Sequence, residues 1–121
     1  MTYPHAASSM FSLFPSPFIH ISSQKSLNAL LLKQGSRSYT LISSPFAGCA
    51  LGIPWWVALL KDAPHLPSIL DCGASSALAL QALHAGISGV VCRHPTSDLL
   101  KYADTQLFQT RPTSFDVKDI I

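Results

Sequence analysis

The chain has 121 residues, of which 48% are hydrophobic and only 12% are charged, and its formal net charge is +2. A chain of this length forms one domain and has no room for a second. The small, scattered positive charge argues against nucleic acid or a membrane surface as the partner. No apolar run approaches the roughly 20 residues that a membrane-spanning helix requires.

The amino-terminal segment has no basic stretch followed by an apolar core, so the sequence does not indicate a signal peptide. We expect residues 1–17 to form a flexible tail and residues 18–121 to form one α/β domain. The cysteines number three, an odd count without a disulfide framework. Reduced thiols and a cytoplasmic location are therefore expected.

The first half of the domain predicts two strands and two helices. A strand at 18–21 leads into a helix at 24–33 that Gly35 ends, and a second strand follows at 39–42. The connection at 43–53 is then about ten residues long, whereas such loops usually have two to six. Long loops in compact domains often carry function. Beyond it, Pro54 suits the first turn of another helix.

Residues 66–95 show the clearest pattern of the sequence, a strand, a helix and a second strand. The apolar run 68–70 forms the first strand, and Ser75 or Ser76 caps a helix whose apolar residues recur with a period near 3.6. Gly86 is placed to end that helix in a left-handed conformation. The next strand, at 90–92, must run parallel to the first because a helix connects them.

The end of the chain predicts one more helix and one more strand. Thr96 or Ser97 caps the helix, Leu99, Leu100 and Ala103 face inward, a strand follows at 107–110, and residues 114–121 form a tail. The fold class is therefore α/β, a small open parallel sheet of about five strands with helices on both faces. The layout is a three-layer sandwich, either flavodoxin-like or half-barrel-like.

Several local resemblances accompany this pattern. The apolar and glycine residues between Ala82 and Val91 are similar to the βα units of TIM-barrel aldolases and synthases, and residues 66–100 resemble the last third of a receiver domain. Pro54, Trp55 and Trp56, followed by the segment 70–73 and the Ala85–Gly86 helix end, resemble small alphaproteobacterial α/β proteins with no assigned activity. These resemblances imply an α/β fold and supply no mechanism.

Ligands of open parallel sheets bind at the carboxyl ends of the strands. The candidate ligand-binding residues at these ends are Ser44, Asp71, Arg93 and Arg111. The two arginines, with free backbone N–H groups near Ser23, Ser44 and Ser75, could hold a phosphate or carboxylate. The alternative is that the serines cap helices and the arginines are solvated.

Three residues at the same strand ends are candidates for catalysis, although the sequence assigns a role to none of them. Cys72 follows a strand and precedes a helix, where the helix dipole lowers the pKa of a thiol. His94 ends the next strand and could act as its base. Alternatively, Cys72 fills a tight turn. Asp71 has no neighbours at metal-ligand spacing, so no metal site and no cofactor are predicted.

Trp55 and Trp56 are candidate partner-binding residues, because adjacent residues of a helix cannot face the same way. One should pack in the core, and the other could anchor a partner or a second copy of the chain. Alternatively, the loop at 43–53 covers both. The low fraction of charged residues also favours a partly covered surface and a homodimer.

The leading functional hypothesis is a non-catalytic cytoplasmic module that binds a small anionic ligand or a protein partner. It depends on what the sequence lacks, namely metal-ligand spacing, a strand-end lysine, a phosphate-binding glycine loop and a recognisable triad. The alternative is a lyase or transferase that acts on a phosphorylated metabolite, with Cys72 or Asp71 as the reactive group.

Overall fold

The computed structural model describes residues 14–34, 37–103 and 105–119. The predicted helix end at Gly35, most of the predicted tail 1–17 and the last two residues lie outside them. The strands are β1 (Phe18–His20), β2 (Thr40–Ile42), β3 (Ser68–Asp71), β4 (Gly89–Val91), β5 (Leu107–Phe108) and β6 (Phe115–Asp116). The α-helices are α1 (Gln24–Gln34), α2 (Ala47–Leu51), α3 (Ile53–Leu59), α4 (Ser76–His84) and α5 (Ser97–Tyr102), with short 3-10 helices at Leu60–Asp62 and Val117–Asp119.

All six strands belong to one parallel sheet in the order β5-β4-β3-β2-β1-β6. The prediction of a small open parallel α/β fold is confirmed, with six strands instead of about five. The sixth comes from residues predicted as a tail, because Phe115 and Asp116 pair with Ile19 and His20 of β1. Within the described ranges, no helix is both long and apolar enough to cross a membrane.

The first five strands lie side by side in chain order, as they do in a half-barrel. Because parallel crossovers are almost always right-handed, this order places successive helices on the same side of the sheet. The buried helical residues Leu27, Trp56, Ala82 and Leu99 accordingly belong to one large cluster together with strand residues such as Leu70. The large cluster is the main core, and no helix residue belongs to the cluster on the opposite face of the sheet. In the described ranges the helices therefore cover one face, which corrects the expectation of a three-layer sandwich with helices on both faces.

The opposite face of the sheet has its own small cluster of buried strand residues, Ile42, Ile69 and Val91, and these pack with Phe14. The Phe14 ring meets the Phe108 ring edge to face, with the ring centroids 5.2 Å apart. The last residues of the predicted tail therefore pack against the sheet.

The segment 43–53, predicted as a loop, contains the short helix α2. Gly48 allows this helix to approach the end of β3, since a Cβ at Gly48 would lie 2.9 Å from the Asp71 carbonyl oxygen. Pro54 lies in the first turn of α3, as predicted. Of the adjacent tryptophans, Trp56 is fully buried in the main core, whereas Trp55 is partly buried and packs against it, with the ring centroids 5.6 Å apart. Their assignment as partner-binding residues stays a prediction.

The end of α4 agrees with its prediction, whereas the buried face of α5 differs in one residue. Gly86 has a positive φ of 93° and ends α4, as predicted. In α5, Leu99 and the following Ala103 are buried, whereas Leu100, predicted to face inward, is exposed. With only six residues, α5 has a narrow buried face that leaves Leu100 outside.

Candidate functional site

Asp71 is the last residue of β3, and its side chain is fully buried. Four donors surround its carboxylate. Arg93 donates from Nη1 to Oδ1 at 3.1 Å and from Nη2 to Oδ2 at 3.3 Å, and Arg111 donates from Nη1 to Oδ2 at 3.1 Å. The backbone N–H of Gly73 donates to Oδ1 at 3.0 Å. A buried carboxylate is therefore paired with two guanidinium groups.

The pairing determines the protonation state of Asp71. Burial alone would raise the pKa of this carboxyl group, but the hydrogen bonds from Arg93, the Gly73 N–H and Arg111 outweigh burial and hold its pKa below the ordinary value. Asp71 is therefore ionised at neutral pH. Two cations against one anion leave this cluster with a net charge of +1.

Both arginines reach solvent, since the Arg93 side chain is 31% exposed and the Arg111 side chain 18%. The Arg93 guanidinium lies over the ring of Phe46, 4.6 Å from its centroid. The ring in turn requires a glycine at position 73, since a Cβ there would lie 2.7 Å from the Phe46 ring. Gly73 also has a positive φ of 63°. The turn after β3 thus positions both the carboxylate and the ring that hold Arg93.

A second polar group lies on the same edge of the sheet, at the ends of β1, β2 and β6. The Nδ1 atom of His20 lies 2.9 Å from Oδ1 of Asp116, and its Nε2 atom lies 2.7 Å from Oγ of Ser44. The hydrogen bond from His20 holds the pKa of Asp116 below its ordinary value. Ser44, His20 and Asp116 form a continuous hydrogen-bonded chain, called here the Ser44 relay.

Ser43 connects the two polar groups through its buried hydroxyl. Its Oγ accepts a hydrogen bond from the Asp71 backbone N–H at 2.9 Å and donates to the Ser44 carbonyl oxygen at 3.1 Å. The predicted residues Ser44, Asp71, Arg93 and Arg111 therefore lie along one edge. Their assignment as ligand-binding residues stays a prediction.

Ser23 and Ser75, which were also considered for anion binding, cap helices instead. The Ser75 hydroxyl accepts from the Leu78 N–H and caps α4, and the Ser23 hydroxyl accepts from the Ser26 N–H at the start of α1. The arginines are different. They are not simply solvated, because both contact the Asp71 carboxylate.

Cys72 lies in the main core and is fully buried. Burial, with smaller effects from Cys49, Asp71 and Cys92, raises the pKa of its thiol to about 12. The expectation that the following helix lowers this pKa was wrong, because the thiol is buried in the core and α4 begins only at Ser76, four residues further along the chain. The thiol is protonated at neutral pH, and the candidate base His94 is exposed whereas Cys72 is buried. The geometry thus gives a Cys72 nucleophile no support.

His20 and Asp116 were not predicted from the sequence. The predicted first strand extends to residue 21, which places the strand end one residue after His20, and Asp116 falls in the predicted tail. A histidine at an apolar strand end was the available signal. Among the residues that the structure describes, no three His, Cys, Asp or Glu side chains form a group that could hold a metal.

Comparison of the chain with protein-family models, curated proteins and solved structures gives no match.

Proposed function

We propose that the protein binds a small anionic ligand, a phosphate or carboxylate compound, at the carboxyl edge of its sheet. One observation carries this proposal: two of the three arginines in the sequence converge on a single buried carboxylate, with a net charge of +1. An isolated ion pair would need only one arginine. The second cation attracts a further anion.

The guanidinium groups have donors for such a ligand. Each has five N–H donors, and the contacts with Asp71 use two from Arg93 and one from Arg111. Asp71 fixes the orientation of both groups, which lowers the entropy lost on binding. Phosphate and carboxylate oxygens match the planar arrangement of guanidinium donors.

The edge is also where ligands bind in open parallel sheets, and the crevice lies where the strand order reverses. Here that point is β1, since β2 to β5 extend to one side of it and β6 lies on the other. The Ser44 relay lies at the ends of β6, β1 and β2, and the arginine cluster lies at the ends of the next three strands, β3, β4 and β5. A ligand with an anionic group and a second polar group fits this edge.

A thermal-shift series tests the proposal with phosphorylated sugars, nucleotides and small carboxylates at millimolar concentration. A ligand at about 100 times its dissociation constant adds about 2.7 kcal/mol of stability, which corresponds to several degrees for a domain of this size. We expect at least one anionic compound to raise the melting temperature of the wild type. The Arg111→Gln variant should lose most of this increase.

Arg37→Gln is the matched control, because it removes the same charge from a residue that precedes β2, at the opposite edge of the sheet. Its ligand-induced shift should equal that of the wild type. Shifts that are equal in all three proteins would contradict the proposal. Sodium chloride at matched ionic strength corrects for general salt effects.

We also propose that the protein is located in the cytoplasm and forms a homodimer. All three cysteines are free thiols, and Cys72 and Cys92 are buried, as suits a reducing compartment. Leu51 and Val57, which lie close to the partly buried Trp55 in the sequence, are about half exposed. We expect light scattering to give twice the monomer mass and Leu51→Asp to halve it. A wild-type monomer would contradict the homodimer.

The geometry does not favour the lyase or transferase alternative with Cys72 or Asp71 as the reactive group. The Cys72 thiol is buried and protonated, and the Asp71 carboxylate is engaged by four hydrogen bonds.

A further inference from the structure

We propose that the Ser44 relay is an acyl-transfer centre, in which Ser44 is the nucleophile, His20 its general base and Asp116 the residue that orients His20. The substrate class is an ester or thioester of a short acid that carries a second, anionic group. The assignment of Ser44 as the nucleophile depends only on the geometry of the relay. The assignment of an anionic group to the substrate rests on the proposed function.

The hydrogen-bond geometry determines the direction of proton movement. The Asp116 carboxylate is ionised and only accepts hydrogen bonds, so Nδ1 of His20 carries the proton in the 2.9 Å contact. In the neutral ring, Nε2 then has a free lone pair, and it lies 2.7 Å from the Ser44 hydroxyl. This tautomer allows His20 to accept the hydroxyl proton.

The Ser44 hydroxyl is not used to stabilise a helix. In the described part of the chain, its side chain hydrogen-bonds only with His20, whereas the hydroxyl groups of Ser75 and Thr96 cap helices. The Ser44 backbone carbonyl makes the local structural contacts instead, accepting from the Ala47 N–H at 3.1 Å. The hydroxyl is thus available for chemistry.

The relay is reachable from solvent and lies where the strand order reverses. The His20 side chain is 26% exposed and the Asp116 side chain 50%, and Ser44 is partly exposed. Ser44 is the second residue after β2, in a tight connection to α2 that includes Phe46 at a positive φ of 61°. A tight turn between a strand and a helix is a common way to present a nucleophile above a parallel sheet.

The reaction follows from these positions and balances with water as the second substrate. The Ser44 oxygen forms a bond to the acyl carbon while His20 takes the hydroxyl proton. The bond to the leaving group breaks, and His20 returns the proton to the departing oxygen or sulfur. Water then forms a bond to the acyl carbon while His20 takes its proton. The bond between that carbon and the Ser44 oxygen breaks, His20 passes the proton to the Ser44 oxygen, and the free acid leaves.

The spacing of the strands suggests where the anionic group sits. Ser44 follows β2 and Arg93 follows β4, and neighbouring strands are about 4.8 Å apart. A separation of roughly 10 Å between the strand ends suits an acyl chain with a carboxylate or phosphate a few bonds from its carbonyl. The arginines would bind that group.

Two probes test the proposal on the full-length protein. A fluorophosphonate should add its mass to the peptide that contains Ser44, and mono-p-nitrophenyl glutarate should be hydrolysed faster than the neutral p-nitrophenyl valerate. Ser44→Ala should abolish labelling and lower hydrolysis by roughly 1000-fold or more. The matched controls Ser26→Ala and His94→Ala should behave as wild type.

Asp116→Asn tests the positioning role. It should lower kcat by roughly 100-fold or more while the KM for the ester stays within about twofold, since the asparagine cannot hold the same tautomer. A residue that only joins β6 to the sheet would change stability and leave kcat unaltered. Circular dichroism of each variant excludes loss of folding as the cause.

The outcomes separate this inference from the proposed function. Labelling that persists in Ser44→Ala, or wild-type protein that neither reacts with the probe nor hydrolyses either ester, overturns the acyl-transfer centre even if anions still raise the melting temperature. A different outcome is labelling at Ser44 without faster hydrolysis of the anionic ester and without an effect of Arg111→Gln on that hydrolysis. This outcome overturns the anionic substrate class and establishes Ser44 as the nucleophile.

Discussion

An Asp71→Asn variant is expected to unfold more easily than the wild type in chloride buffer and yet to bind phosphate more tightly. The substitution removes the carboxylate that accepts from both arginines. Hydrogen bonds to a charged group contribute about 1.5–3 kcal/mol. Because Arg93 and Arg111 are partly exposed, water rehydrates them, and we expect a total loss of about 2–3 kcal/mol.

The tighter binding of phosphate follows from charge. Without the Asp71 carboxylate, the net charge of the arginine cluster rises from +1 to +2, and a bound phosphate can replace the missing carboxylate between the guanidinium groups. Phosphate should therefore stabilise the variant more than it stabilises the wild type. Urea unfolding at matched ionic strength, with and without phosphate, measures both effects.

Asp62→Asn is the matched control for this prediction, because Asp62 is exposed and its replacement changes the net charge of the protein by the same amount. The control should show neither the loss of stability nor the enhanced phosphate effect. If Asp71→Asn lost stability and phosphate stabilised it less than it stabilises the wild type, the cluster would be a structural ion pair only.

The double variant Arg93→Gln, Arg111→Gln should lose about 3–5 kcal/mol at pH 7, because it leaves the buried Asp71 carboxylate without a cation. It should also reverse the pH dependence of stability. The Gly73 N–H alone does not offset the cost of burying the charge, so the pKa of Asp71 should rise above its ordinary value.

Asp71 makes stability depend on pH in opposite directions in the wild type and in the double variant. In the wild type, the pKa of Asp71 is lowered, so its contribution to stability is complete above the ordinary pKa of about 4 and is lost as the pH falls through the lower, folded value. In the double variant, the carboxylate destabilises the fold at pH 7. Protonation then relieves this cost, so stability rises as the pH falls from 7 towards 4.

Urea unfolding at pH 7 and at pH 4.5 distinguishes these behaviours, with Arg37→Gln as the control that keeps the wild-type response. Because other carboxyl groups also titrate, the quantity to compare is the difference between variant and wild type at each pH. A difference that is equal at both pH values would show that Asp71 is not held ionised by the two arginines.

The sequence predicted most of the fold because its strongest pattern is local. The strand, helix and strand of residues 66–95 are marked by apolar periodicity, by the cap at Ser75 and by Gly86, and all of these act over a few residues. Strand β6 has only two residues, and its pairing with β1 joins residues 96 positions apart, as the contact between His20 and Asp116 shows. Such a strand has no periodicity to detect.

Part of the candidate site was also predictable, because the ends of the strands can be predicted from local patterns. The rule that ligands bind at strand ends identified Ser44, Asp71, Arg93 and Arg111 from their positions alone. The ion pairs between Asp71 and the arginines depend on β3, β4 and β5 being neighbours, and the Ser44 relay depends on β6 lying beside β1. The order of the strands was not readable from the sequence.

Chemical-shift mapping of bound phosphate shows whether the carboxyl edge of the sheet binds anions. Phosphate is titrated into ¹⁵N-labelled protein at constant ionic strength, and the backbone amides are followed. We expect saturable shifts at the amides of Gly73, Arg93 and Arg111, and weaker shifts in the Arg111→Gln variant. Saturable shifts centred on Ser68 and Ser88 at the opposite edge, or no saturable shifts, would contradict it.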